Sequence, residues 1–141
     1  MVDMKSEQAA QVLRGVLTLS RRLRAERPEG SASLSGISIL GSLHRLGPMP
    51  ATRLAVEERL QPQSLTRIIA DLEDRGWIDR TRNEADRREI LIALTPRGRE
   101  VFADDMRARR AWLADAMAAI LTDGERDELL RASGAMLKLA G

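Results

Sequence analysis

The pattern of apolar and polar positions predicts a chain of helices interrupted once by a β-hairpin. In residues 62–75 the apolar side chains fall at i, i+3, i+4 and i+7, which is the spacing of a helix with one buried face. In residues 89–94 the period shortens to two, as in a strand, and residues 77–82 supply the partner strand. A polar loop over residues 83–88 joins the two strands.

A short helix followed directly by a hairpin with a charged tip is the arrangement of a winged helix. The polar side of the helix over 62–75 carries short or hydrogen-bonding side chains, which would let it lie in a DNA major groove. They are Gln63, Ser64, Thr66, Arg67 and Ala70. Arg87 and Arg88 lie at the tip of the hairpin, where long cations can reach a narrow, electronegative minor groove.

Amphipathic helices flank this central module. Residues 5–26 form one of them, and a loop over 28–33 leads to a short buried helix that carries Ile37, Leu40, Leu43 and Leu46. A long helix begins at Thr95-Pro96, and a capping box over 122–125 starts the last one. Because a chain of 141 residues has little core of its own to cover terminal apolar faces, we expect them to pack in a dimer.

Motifs in fixed order give the chain a strong resemblance to the MarR family of bacterial winged-helix transcriptional regulators. The family's LA, TR and LE-x-x-G motifs are matched by Leu54-Ala55, Thr66-Arg67 and Leu72-Glu73-Asp74-Arg75-Gly76. Its DRR wing is matched by Asp86-Arg87-Arg88, and its LT-x-x-G entry into the next helix by Leu94-Thr95-Pro96-Arg97-Gly98. Each fragment alone is weak, but the order and spacing together are specific.

The resemblance implies a mainly α fold with a small β-hairpin wing, as a single MarR-like domain over residues 1–141. The winged-helix DNA-binding lobe would cover about 35–99, and the terminal dimerisation helices about 5–27 and 96–140. It implies a homodimeric transcriptional regulator of double-stranded DNA, a repressor released from a pseudo-palindromic operator by a small aromatic or anionic effector. Trp112 and Phe102 are expected at the dimer interface, and His44 and Arg14 are the candidate effector contacts.

The DNA contacts follow from the same combination of pattern and resemblance. Gln63, Ser64 and Arg67 would enter the major groove, with Thr66 near the backbone, and Arg87 or Arg88 would enter the flanking minor groove. Asp86 would orient a neighbouring Arg through a charge-assisted hydrogen bond, since phosphates repel a carboxylate.

Four positions depart from the family pattern. Glu58 and Arg59 replace the more usual Leu and Gly, which predicts a turn of different shape within the helix-turn-helix. Gln61 stands where Ser or Thr usually caps the recognition helix, and Pro50 replaces the usual cap of the preceding helix.

Charge and composition limit the classes of function that the chain can have. The net charge is only +2, and residues 59–99 hold nine Arg against seven acidic residues, so attraction to DNA must come from where Arg lies. The chain has no Cys, a single His and no Gly-rich phosphate loop, so we expect no enzyme, metal or cofactor. With no visible signal peptide or long apolar run, we expect a cytoplasmic protein without a membrane partner.

The alternative is a helical dimerisation or adaptor module whose winged helix binds protein instead of DNA. The salt dependence of the binding affinity distinguishes the two hypotheses. Duplex binding weakens steeply with salt through counterion release, whereas an apolar protein interface does not.

Overall fold

The computed structural model describes residues 3–141 and confirms the predicted winged helix with flanking helices. The described elements are α1 Met4–Ala25, α2 Leu34–Leu46, α3 Ala51–Glu58, α4 Pro62–Asp74, β1 Ile78–Arg82, β2 Ile90–Leu94, α5 Pro96–Ile120 and α6 Asp123–Ala140. The strands β1 and β2 pair antiparallel, with Ile78 opposite Leu94 and Arg82 opposite Ile90. None of these helices is long and apolar enough to cross a membrane.

The chain divides into two compact units, and the boundary falls inside α5. Residues 28–106 contain the winged helix, and a helical unit contains α1 together with residues 107–141. The expected winged-helix lobe ended near residue 99, so the first turns of α5 belong to the winged-helix unit in the structure.

The core of the winged-helix unit lies where α2, α3, α4 and the hairpin meet. Its fully buried apolar side chains are Ile39, Leu40, Met49, Leu54, Ile69, Leu72, Ile78 and Ile92. Met49 also pairs with Ile92 as an isolated antiparallel bridge, with backbone hydrogen bonds of 3.1 and 2.8 Å. This bridge adds a one-residue third strand to the wing, which the sequence analysis did not predict.

One side chain lies differently from its predicted position. Leu46 is 40% exposed, because it is the last residue of α2 and extends beyond the face that buries Ile37, Leu40 and Leu43. The ring of Phe102 is partly buried against the winged-helix core, and its place at a dimer interface stays a prediction.

The helical unit exposes its apolar faces. No residue of α1 or α6 is buried. The large apolar side chains exposed on this unit include Val12, Leu13, Leu17, Ile120, Leu130, Leu137 and Leu139. Trp112 is half-buried, and the Arg22 guanidinium lies 4.4 Å from the centre of its ring.

The predicted capping box starts α6. The Thr122 hydroxyl accepts a hydrogen bond from the Glu125 backbone N–H at 3.1 Å, and the Glu125 carboxylate accepts one from the Thr122 N–H at 2.9 Å. The hydrogen bonds from the backbone and side chain of Thr122 lower the pKa of Glu125. The capping box is therefore formed at the N-terminus of α6, which runs from Asp123 to Ala140.

Gly98 allows a close approach of two backbone segments in the winged-helix unit. A Cβ atom built on Gly98 would lie 1.9 Å from the Trp77 carbonyl oxygen. The Gly98 N–H donates to the Thr95 hydroxyl at 3.0 Å, and that hydroxyl donates to the Gly76 carbonyl at 2.6 Å. The LT-x-x-G motif thus has a physical cause, because any side chain at position 98 would push α5 away from the start of β1.

We predict that Gly98→Ala destabilises the fold by about 1 to 3 kcal/mol or more, because the backbone must shift to relieve the overlap. Gly124→Ala is the control, since a Cβ there meets nothing within 4 Å. Urea unfolding of both variants measures the effect. Equal stability of the two would contradict the proposed contact.

Candidate nucleic-acid interface

The helix α4 has the two faces expected of a recognition helix. Leu65, Ile69 and Leu72 are buried against the core, which fixes the helix on the unit. Pro62 occupies the first helical turn, and the preceding Gln61 makes no side-chain cap hydrogen bond. Pro50 likewise leaves α3 without a side-chain cap, so backbone N–H groups at both helix starts remain available.

The outer face of α4 carries the predicted polar set. Gln63, Ser64, Thr66 and Arg67 are all exposed. The Thr66 hydroxyl donates to the Pro62 carbonyl at 2.8 Å, which holds it close to the helix. The Arg67 guanidinium has no hydrogen-bond or ion-pair partner within residues 3–141, so its donors face solvent.

Side-chain hydrogen bonds organise the wing tip. One carboxylate oxygen of Asp86 accepts from the Arg88 backbone N–H at 3.1 Å and from its Nε at 3.3 Å. The Asn83 side chain donates to the Glu89 carboxylate at 2.8 Å and accepts from the Ala85 N–H at 3.0 Å. The Arg88 side chain is nevertheless 93% exposed.

Ion pairs distribute the positive charge of this unit unevenly. Arg75 pairs with Asp71 at 3.2 Å, and Arg80 pairs with Glu73 at 3.1 Å. These pairs lie between solvent-exposed side chains. In the described part of the helix-turn-helix and wing, the guanidinium groups without such a partner belong to Arg59, Arg67, Arg82 and Arg87. That of Arg82 donates to the Arg87 backbone carbonyl at 3.3 Å. Arg59, Arg67 and Arg87 therefore keep free guanidinium donors at the turn, the recognition helix and the wing tip.

The segment before α4 contains Glu58 and Arg59, two of the residues that depart from the family pattern. The Glu58 carboxylate accepts hydrogen bonds from the Ser38 hydroxyl at 2.7 Å and the Ser42 hydroxyl at 2.5 Å, which joins α3 to α2. Arg59 has φ 53° and ψ 42°, the left-handed conformation. The turn therefore places a residue with a side chain in the left-handed conformation at position 59, where the family more often has Gly.

The two candidate effector contacts lie on different units. His44 is exposed on α2, and its ring packs against that of Phe102 at a tilt of 37°, with centroids 5.0 Å apart. Arg14 is exposed on α1 in the helical unit. The structure adds Glu58 and Arg59 to the features of interest, and the only sequence signal for them was their departure from the family pattern.

A winged helix with an exposed polar recognition helix and an Arg-tipped wing defines a DNA-binding transcriptional regulator. A sequence model of the MarR family matches residues 33–90. The chain is similar to the HTH-type transcriptional regulator MT0903.1 of Mycobacterium tuberculosis, with 39% identity over 99% of this chain and 96% of that protein. It is 31% identical to the HTH-type transcriptional repressor MdtR of Bacillus subtilis, over 72% of this chain and 63% of that protein.

The same class is found among solved structures. A Pseudomonas aeruginosa PA01 protein described as a transcriptional regulator is 32% identical, with a TM-score of 0.85 over 99% of this chain and 98% of that chain. The chain belongs to the MarR family.

We predict that Ser42→Ala lowers the free energy of unfolding by roughly 1 to 3 kcal/mol, because it removes a buried hydrogen bond to a charged group. Ser42 is only 4% exposed. Ser38→Ala deletes the exposed partner of the same carboxylate and should cost less than about 1 kcal/mol. Denaturant unfolding compares the two, and a larger loss for Ser38→Ala would refute the assignment of Ser42 as the main link.

Proposed function

We propose that this MarR-family regulator is a homodimeric repressor that binds a pseudo-palindromic operator and leaves it when a small effector binds. The observation that carries the DNA-contact part of the proposal is the placement of guanidinium groups. Neighbouring carboxylates pair with Arg75 and Arg80. The guanidinium groups of Arg67 on α4 and Arg87 on the wing have no such partner within residues 3–141, so their N–H donors can bind DNA.

The docking follows from the position of these groups. Gln63, Ser64 and Arg67 enter the major groove with α4, and Thr66 lies near the backbone. Uncapped N–H groups at the start of α4 are suited to a phosphate oxygen. Arg87 or Arg88 enters the flanking minor groove, and Asp86 orients Arg88 through its hydrogen bonds to that residue.

Dimerisation is proposed to cover the apolar faces of α1, α5 and α6. Large apolar side chains there are more than half exposed, including Leu13 at 56% and Leu137 at 74%. Burying such surface is the dominant favourable term in most protein association. A two-fold dimer would then present two recognition helices to half-sites about one helical turn apart.

Two further observations support the repressor and effector parts of the proposal. MdtR, one of the similar proteins, is named a repressor. The helical unit holds an apolar cavity of about 220 Å³ beside Trp112 and Met117, and the Arg22 cation lies over the Trp112 ring. These features suit an aromatic or anionic effector. His44 and Arg14 do not line this cavity and remain separate candidate contacts from the sequence. Its binding would favour a spacing of the recognition helices that no longer fits the operator.

We predict that Arg67→Ala, Arg87→Ala and Arg88→Ala each weaken operator binding by about 1 to 3 kcal/mol for a specific contact. Arg131→Ala, an exposed change on α6, is the control for losing one charge. Fluorescence-anisotropy titrations on an operator selected from random sequence measure the affinities. If Arg88→Ala binds like wild type, Arg88 is excluded and Arg87 remains the wing contact.

Single-base variants of that operator separate the roles of Arg67. If Arg67 contacts a guanine, Arg67→Ala loses base preference at one symmetric operator position. If Arg67 contacts a phosphate, Arg67→Ala binds every operator variant more weakly by the same factor. Wild-type binding that does not weaken with salt would reject duplex binding and favour a protein-binding winged helix.

We predict that the melting temperature rises with protein concentration, because the stability of an obligate dimer depends on association. Leu137→Asp on α6 should produce monomer or unfolded chain in sedimentation. Val56→Asp is the matched control, since Val56 is 75% exposed but lies on α3 in the winged-helix unit. A stable folded monomer at low micromolar concentration, with melting independent of concentration, would defeat the dimer proposal.

A further inference from the structure

Arg59 has a backbone conformation that its residue type disfavours. Among residues 3–141 it is the one residue other than Gly with positive φ. The left-handed region brings Cβ close to the following carbonyl oxygen, and Gly avoids this cost entirely. Residues held in such regions persist only where the surrounding structure fixes them, and they cluster at functional sites.

The Arg59 side chain does not compensate through contacts inside the described chain. It is exposed and forms no hydrogen bond or ion pair within residues 3–141. The adjacent carboxylate of Glu58 is engaged by the Ser38 and Ser42 hydroxyls. The backbone at Arg59 does close α3, since its N–H donates to the Val56 carbonyl at 3.1 Å, but any residue except Pro supplies that N–H.

Arg59 lies on the side of the unit that faces DNA in the proposed docking. It lines the open groove between α3 and α4 together with Thr52, Pro62 and Thr66, and it precedes the N-cap of α4 by two residues. In helix-turn-helix proteins the first residues of the recognition helix reach the base edges. The segment just before them must leave the groove past the sugar-phosphate backbone, where a long cation can meet a phosphate.

We propose that Arg59 is a phosphate contact of the DNA complex, and that this chain retains a strained residue in the turn for the sake of its guanidinium group. The inference rests on the proposed docking of α4. It concerns a position at which this sequence departs from its family, so the resemblance does not imply it.

The test compares Arg59→Gly, Arg59→Asn and Arg59→Lys on a labelled duplex selected from random sequence by the wild-type protein. Gly and Asn both tolerate the left-handed conformation. We expect these two variants to melt at higher temperature than wild type, to bind the duplex about tenfold more weakly, and to lose about one unit of salt slope. Arg59→Lys keeps the charge and should keep the slope.

Affinity and salt slope that match wild type in Arg59→Gly and Arg59→Asn would overturn the inference. Weaker binding with an unchanged slope would also overturn it, because the effect would then come from misplacement of α4. The same titrations include Arg131→Ala, the control for losing one charge away from the winged helix, and Arg67→Ala, the variant of a proposed contact on α4. If wild-type binding itself shows no salt dependence, the proposed DNA docking fails; if only the Arg59 variants behave like wild type, the docking stands without this contact.

Discussion

The contact of Gly98 with the Trp77 carbonyl determines how the parts of the winged helix meet. The Trp77 N–H donates to the Leu72 carbonyl at 3.0 Å, which links it to the end of α4, while the Trp77 carbonyl accepts from the Thr95 N–H at 3.1 Å. The end of the recognition helix and the start of α5 are therefore joined through the backbone N–H and C=O of one residue, Trp77, which directly precedes β1. Hydrogen bonds and close packing, rather than loop length, set the angle of α4 relative to the wing.

Local pairing, rather than net charge, decides which Arg side chains of this nearly neutral chain keep free donors. The carboxylates of Asp71, Glu73 and Asp86 pair with Arg75, Arg80 and Arg88. Exposed pairs of this kind add little stability, but they engage the donors of Arg75 and Arg80, while the Arg88 side chain stays 93% exposed. A chain with a net charge of +2 can thus present isolated cations at chosen points and avoid the indiscriminate attraction of a uniformly basic surface.

The predictable parts of the fold were those set by neighbours in sequence. The stripe of α4, the capping box of Thr122 and the alternation of β2 each leave a local signature. The Met49–Ile92 bridge and the serine partners of Glu58 join distant segments, so they leave no period to detect. Helical spacing alone also could not show that Leu46 lies beyond the buried face or that Phe102 packs on the winged-helix core. Motifs indicated candidate DNA contacts, but their roles depend on a duplex and remain proposals.

The wing tip is held in shape before it meets any partner. Asn83 and Asp86 each accept a hydrogen bond from a backbone N–H two residues later, so the loop folds on itself through Asx turns. An ordered loop loses less conformational entropy when it becomes fixed in a complex. Sequence changes at these two non-basic positions therefore tune how long the regulator stays on DNA without either side chain touching a base.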